Sequence, residues 1–344
     1  MFRLLSARIA AACLFASTLA VDPRVSAEPL AEEQRTRLLA TPEDKPAVEL
    51  RGITSAAAGR SYLTGNEWYL HTLAPALSGL GGGYIGVGTD QAWLLMGWQR
   101  PEIAWLFDYD PLVREVQRVH LAFFRAAPDF ASWRALWEPK ANAAAREALA
   151  AAWPARDLPV LETIYRRARS RVRTRIDKLK PMLEQAQAKT FITDPETYTW
   201  LHTFAGEGRV RPMIGDLYGK RGMKGVAAAA RELGVTIRVV YLSNAEQYFD
   251  YLDTFKSNFN ALPIDDRSVI VRTLLTWSLN QDYRYNTQPV ANFNAWLAHP
   301  ETLRLASMVR LPRDLTPTPE WFHFDAAPPE VDHADRRAKP TPAP

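Results

Sequence analysis

The sequence predicts an α/β protein built on a doubly wound, mostly parallel sheet with a helical insertion. Three stretches carry that expectation. GGGYIGVGTDQAWLLMGW reads as a short apolar strand, a glycine turn and a helix; WLFDYDP reads as a second strand ending on an acid; VTIRVVYLSN is a β-branched run that follows an alanine-rich helix. Strands that alternate with helices assemble into a sheet covered on both faces.

The elements follow in order. Residues 28–60 are polar and broken by prolines, an extended lead-in. Asn66 to Leu80 predicts a helix with Trp68, Leu70, Leu73 and Leu77 for burial. The first strand covers Gly82 to Val87, and Gly86 and Gly88 remove side chains where the turn must tighten. The second runs from Ile103 to Phe107 and ends at Asp108, after which Pro111 opens a helix to about Phe124. Residues 129–189 are rich in Ala, Arg and Glu without a strand-like run, which predicts a helical insertion. RVRPMIGDL is the third strand, with Asp216 at its end beside Gly215. MKGVAAAARELG is a helix closed by Gly234 as a left-handed C-cap. The strand VTIRVVYLSN should open its polar end, Ser243, Asn244 and Glu246, on the same edge as Gly86 and Asp108. A helix through Tyr248, Leu252, Phe255 and Phe259 and a strand RSVIVRTLL come next. From Thr316 the chain is proline-rich and predicted disordered, with WFHF as an edge strand or anchor.

The amino terminus sets the compartment. MFRLLSARIAAACLFASTLAVDPRVSA places Arg3 and Arg8 before an apolar stretch and small residues at its end, the pattern of a secretory signal peptide cleaved before Glu28. The stretch is too short for a transmembrane helix, and its setting around Cys13 makes a poor lipoprotein signal. The protein is therefore expected to be exported, periplasmic or secreted. Cys13 is the single cysteine, so the mature chain has no thiol for a disulfide or a metal. Loss of Arg3, Arg8, Arg24 and Asp22 with the leader lowers the net charge from +4 to +2. Residues 28–60 then form the lead-in, 61–315 the α/β domain and 316–344 the tail.

Charge is concentrated in TIYRRARSRVRTRIDKLK. Arg166, Arg167, Arg169, Arg171, Arg173 and Arg175 share this segment with Ile164, Val172, Ile176 and Leu179 at helical spacing. Its wet face is either an ordinary solvated surface or a contact for anionic lipid or an acidic partner.

The glycine turn and the acid after it suit a nucleoside, because N–H groups at the turn and a carboxylate on the neighbouring strand face one crevice. The turn departs from G-x-G-x-x-G, with Gln91 where a third glycine would stand, and Asp90 opposes a pyrophosphate at the helix start. A nucleoside without phosphates fits better, and S-adenosylmethionine is one.

The ordered blocks GGGYIGVGTDQAWL, WLFDYDP, FITDPETYTWLHTF, RVRPMIGDLYG, VYLSNAEQYF and FNALPIDDRSVIVRT resemble a family of largely uncharacterised bacterial proteins with a class I S-adenosylmethionine methyltransferase-like fold. The resemblance spans about Asn66 to Trp277. It implies a cofactor site in which Gly86, Gly88 and Thr89 underlie the methionine portion, Asp108 meets the ribose and Asp216 lies near adenine. It also places Ser243 and Asn244 where substrate is met. The turn lacks the D-x-G-x-G-x-G pattern and the fourth strand lacks an N-P-P-Y or D-P-P-Y run, so nucleic-acid base methylation is not implied.

Methyl transfer needs alignment more than covalent catalysis. Glu246 and His202 are the candidate proton acceptors and Tyr248 the candidate orienting group; each also has an ordinary structural reading, as a first-turn acid, a half-buried helix residue and a core ring. No H-E-x-x-H, G-x-S-x-G or phosphate-loop motif is present, and no metal is expected. Only one of Asp108 and Asp110 is expected to face the crevice. Three functions remain open: a methyltransferase for a small molecule or lipid, a non-catalytic exported binding protein on the same sheet, and an interaction protein that docks through its arginine-rich helix. An exported methyltransferase faces a compartment not expected to supply its cofactor.

Overall fold

Seven strands form one sheet in the computed structural model, which describes residues 29–50, 59–276, 282–309 and 321–330. The leader and most of the tail lie outside the described residues. The strands are β1 (Gly83–Gly86), β2 (Ile103–Asp108), β3 (Val210–Ile214), β4 (Ile237–Ser243), β5 (Val269–Leu275), β6 (Tyr283–Pro289) and β7 (Trp321–His323). Their order is β3-β2-β1-β4-β5-β6-β7. The first five are parallel, β6 runs antiparallel to β5, and β7 runs parallel to β6. The chain winds outward from β1 to β3 and then returns to the other side of β1. That reversal leaves a crevice between the carboxyl ends of β1 and β4.

The central strands are apolar on both faces because both are covered. Tyr84, Ala104, Leu106, Val239 and Tyr241 belong to one core, and their chain neighbours Ile85, Trp105, Phe107, Val240 and Leu242 to the other. The first face carries α3 (Asp90–Gln99), α4 (Pro111–Ala126) and the helical insertion. The insertion comprises α5 (Phe130–Leu136), α6 (Asn142–Ala152) and α7 (Leu158–Gln185), followed by α8 (Pro195–Gly206). The second face carries α9 (Gly222–Glu232), α10 (Asp253–Asn260) and the helix Val290–Ala298. Gly234 takes φ +68° just beyond α9, the expected left-handed C-cap.

Four expectations need correction. The lead-in contains α1 (Glu32–Leu39), whose Leu38 is fully buried. The helix read from Asn66 to Leu80 is only a 3₁₀ turn at Leu70–Leu73 and a single α turn, α2 (Ala74–Leu77). The helix read through Tyr248 is split into a 3₁₀ turn, Ala245–Tyr248, and α10, with extended chain at Phe249 between them. The strand YRYNTQP escaped notice because it is polar; pairing buries it, and Asn286 and Gln288 both accept from Nη1 of the Arg272 guanidinium inside the sheet.

The arginine-rich stretch lies within α7 and buries Ile164, Ala168, Val172, Ile176 and Leu179. Much of its positive charge is spent within the molecule. Arg169 donates to Asn142 (2.6 Å), Arg173 pairs with Glu138 (2.8 Å), and Arg175 is buried against Asp90 (3.2 Å) with its guanidinium over the Trp68 ring. Arg167 and Arg171 remain exposed. Arg175→Ala strands the buried Asp90 carboxylate and should lower unfolding free energy by about 3 kcal/mol or more. Arg167→Ala should stay within about 0.5 kcal/mol of wild type in the same urea titration.

Candidate functional site

A cavity of about 570 Å³ opens at the carboxyl ends of β1 to β5. At its β2–β3 end stand Asp108, Tyr109, Asp110 and Asp216; Gly88 and Gln91 form its floor; Ser243, Asn244, Tyr248 and Tyr283 close the β4 end. Loop residues Tyr62, Thr64 and Asn66 and lead-in residues Ala47 to Glu49 complete the wall.

Asp108 braces the glycine turn. One carboxylate oxygen accepts the Gly88 N–H (2.8 Å) and the other the Asp110 N–H (2.9 Å), and the Tyr109 N–H adds a third backbone donor. Gly88 holds φ +85°, which a side chain would strain, and a Cβ at Gly86 would run into the Tyr84 hydroxyl. Burial pushes the Asp108 carboxyl up to about 7; the N–H groups of Asp110, Gly88 and Tyr109 pull it down, and the Asp110 charge adds to the rise. Asp110 has already left the strand and caps α4 by accepting the Leu112 N–H (2.8 Å). Both aspartates therefore line the cavity, which corrects the expectation that only one would: residues two apart in a strand share a face, and Asp110 lies beyond the strand in any case. No group of three or more His, Cys, Asp or Glu suited to a metal occurs among the described residues.

At the β4 end the chain is bent. Ser243 sits at φ +49°, and the pairing of β4 with β5 shifts register between Tyr241 and Ser243. The Ser243 hydroxyl thereby reaches Glu67 at 2.6 Å. Glu67, fully buried, also accepts from the Tyr241 hydroxyl (2.9 Å), the Gln91 amide (2.9 Å) and the Asn66 N–H (3.3 Å). Its backbone carbonyl accepts from Arg175. Sequence reasoning passed over Glu67 as one polar residue in a helix-like stretch; its only signal was an acid between Asn66 and Trp68, flanking apolar positions.

The lead-in is a strap across the same edge. Asp44 accepts the N–H groups of Asp216, Arg221 and Gly222 (3.1 Å each) at the start of α9. Glycine is required opposite it, since a Cβ at Gly219 or Gly222 would strike the carboxylate.

The structure brings together Gly88, Asp108, Asp216, Ser243, Asn244 and Tyr248 on the cavity wall. It leaves other candidates elsewhere. Gly86 lies beneath the wall in β1, and Thr89 is fully buried. Asp90 points to the Gly65 N–H (2.6 Å) and Arg175, not to the crevice; burial works against its charge, yet the arginine and the N–H hold its carboxyl below the ordinary range. His202 is a correction: its Nδ1 meets the Phe124 carbonyl (2.7 Å) on α8, away from the cavity. Glu246 is a second: it is 2 % exposed, receives the Tyr251 hydroxyl (2.5 Å) and pairs with buried Arg272 (2.6 Å). A carboxylate so satisfied is a structural counter-ion.

A family profile described as a domain of unknown function (DUF7790) matches residues 62–318, more than half of the chain. The chain belongs to the DUF7790 family. No curated protein matches it. The DUF7790 span contains Glu67, Gly88, Asp108, Asp216 and Ser243 but begins after the strap, so Glu49 on the wall and Asp44, bonded to the Asp216 N–H, come from outside it.

With its carboxyl raised to about 7, Asp108 binds a proton more tightly in the folded state than in the unfolded chain. Its stabilising effect is full below the ordinary carboxylate range and fades as pH rises towards 7. Melting curves from pH 4 to 8 should show this loss in wild type and a flatter profile in Asp108→Asn.

Proposed function

We propose that the crevice binds a nucleoside without phosphates, S-adenosylmethionine or a relative of it, on a methyltransferase-like sheet. One observation carries the reading: the glycine turn after β1 and the acid at the end of β2 are joined through the Gly88–Asp108 hydrogen bond, with Asp216 on the next strand end. The order 3-2-1-4-5 of the parallel strands supports it. So does charge. Glu49, Asp108, Asp110 and Asp216 outnumber Arg60 on the wall, which disfavours phosphates and accepts a sulfonium. The Asp108 carboxylate on the wall is an acceptor that suits the hydroxyls of a ribose.

Catalysis here would be methyl transfer to a small molecule or lipid, aligned in the half of the crevice near Ser243, Asn244 and Tyr248. Burial raises the Tyr248 phenol, and its oxygen accepts from the Asn244 amide (3.3 Å), so its O–H points as a donor rather than acting as a base. The second reading is an exported protein that binds such a nucleoside without turning it over. It is favoured by the leader-like amino terminus and by the removal of Glu246 and His202 from the crevice. In the described residues no helix is long and apolar enough to cross a membrane. Docking through α7 is the weaker alternative, because Arg169, Arg173 and Arg175 are engaged internally.

Calorimetric titration of residues 28–344 with S-adenosylmethionine and with adenosine tests the reading. Saturable binding is expected for both, lost in Asp108→Ala. Ribose hydroxyls need the ionised carboxylate, so affinity should weaken about tenfold per pH unit below 7 and binding near pH 6 should release a proton. No heat at millimolar ligand would sink the nucleoside reading.

A further inference from the structure

The β4 end of the cavity has a polarity of its own. The Glu67 carboxylate accepts from four donors, and the Ser243 hydroxyl, which spends its single proton on it at 2.6 Å, turns lone pairs to the cavity. The Gln91 amide on the same wall is fixed by Glu67 (2.9 Å) and by the Thr89 N–H (2.9 Å). Beside the Tyr248 O–H donor, this end offers at Ser243 an acceptor with a buried carboxylate directly behind it.

That charge has no ion-pair partner among the described residues. Arg175, the nearest guanidinium, pairs its charge with Asp90 and gives Glu67 only a bond to the backbone carbonyl. Of the two buried carboxylates, Asp90 alone has an arginine as its counter-ion. The imbalance is felt around it: burial raises the phenols of Tyr84, Tyr241, Tyr248, Tyr283 and Tyr285, and the Glu67 charge raises every one further. Tyr248 and Tyr283 bring their rings to the cavity wall, joined by Tyr62 and Phe249. Aromatic faces beside an acceptor backed by buried charge suit a cation with N–H donors.

We infer that the β4 end of the crevice is a subsite for the protonated amine of a second ligand, held on Ser243 Oγ against Glu67. The subsite lies apart from Asp108, and the inference does not require that a nucleoside occupy the other end. If one does, the amine is the class of molecule placed beside it. Phosphates and carboxylates are repelled from this end, and an alcohol gains a hydrogen bond but no charge.

The probe is n-butylamine, protonated at neutral pH, with 1-butanol as its uncharged counterpart, titrated into residues 28–344 at low salt and followed by calorimetry and melting temperature. The amine should bind saturably at millimolar concentration and the alcohol at least about tenfold more weakly, a difference set by one charge-assisted bond. Glu67→Gln keeps the shape and should remove most of that preference. Ser243→Ala, at the cavity surface, serves if Glu67→Gln does not fold and should weaken the amine alone. Asp108→Ala should leave amine binding unchanged while abolishing adenosine binding, so failure of the nucleoside reading is seen separately. Equal affinity for amine and alcohol, or an amine affinity untouched in both Glu67→Gln and Ser243→Ala, overturns the subsite.

Discussion

The ion pair of Asp90 with Arg175 joins three parts of the molecule that no sheet bond connects. Asp90 opens the helix behind the glycine turn, Arg175 comes from the middle of the long insertion helix, and the carboxylate also accepts the N–H of Gly65 in the loop before β1. Arg175 continues to the Glu67 carbonyl and lies over Trp68. With both side chains 3 % exposed or less, the attraction acts in a low-dielectric setting where losing one partner is far costlier than forming the pair is rewarding. The loop that carries Asn66 and Glu67 to the crevice is therefore held from outside the sheet. The insertion is a structural support for the site, whatever its outer face meets.

Much of the architecture was legible because periodicity and turn chemistry agree. β1 and its helix, β2 with Asp108, Pro111, β3, Gly234 and β4 all follow from patterns that tertiary packing reinforces. The misses share a different cause. β6 is made of Tyr, Arg, Asn, Thr and Gln, and it is buried only because Arg272 on its partner strand needs Asn286 and Gln288. The stretch from Asn66 has helical spacing, yet Glu67 must turn inward to Tyr241 and Ser243, which ends any helix there. Polar interiors have no hydrophobic period to read, so a one-dimensional pattern reports them as surface.

The candidate site divides along the same line. Gly88, Asp108, Asp216, Ser243 and Asn244 could be placed because strand ends of a parallel sheet share an edge. Glu246 and His202 were placed by chemistry and distance along the chain alone. The turn after Asn244 carries Glu246 back beneath the sheet edge to Arg272, and α8 sets His202 against α4. Nothing in local sequence says that Glu246 has a buried arginine waiting 26 residues later.

The electrostatics give the crevice its character. Its basic side chains are outnumbered on the wall, and positive charge elsewhere is drawn into pairs with Asp90, Glu138 and Glu246. Even the start of α9, a natural anion site, is filled by the chain's own Asp44. An enzyme handling phosphorylated nucleotides would leave such a helix start open and line its turn with N–H groups free to meet phosphate. Here the N–H of Gly88 is already given to Asp108 and those of Asp216, Arg221 and Gly222 to Asp44. The backbone donors that would hold an anion there are consumed internally. A crevice built this way offers a phosphate few backbone donors, and that bias follows from backbone hydrogen bonding before any side chain is considered.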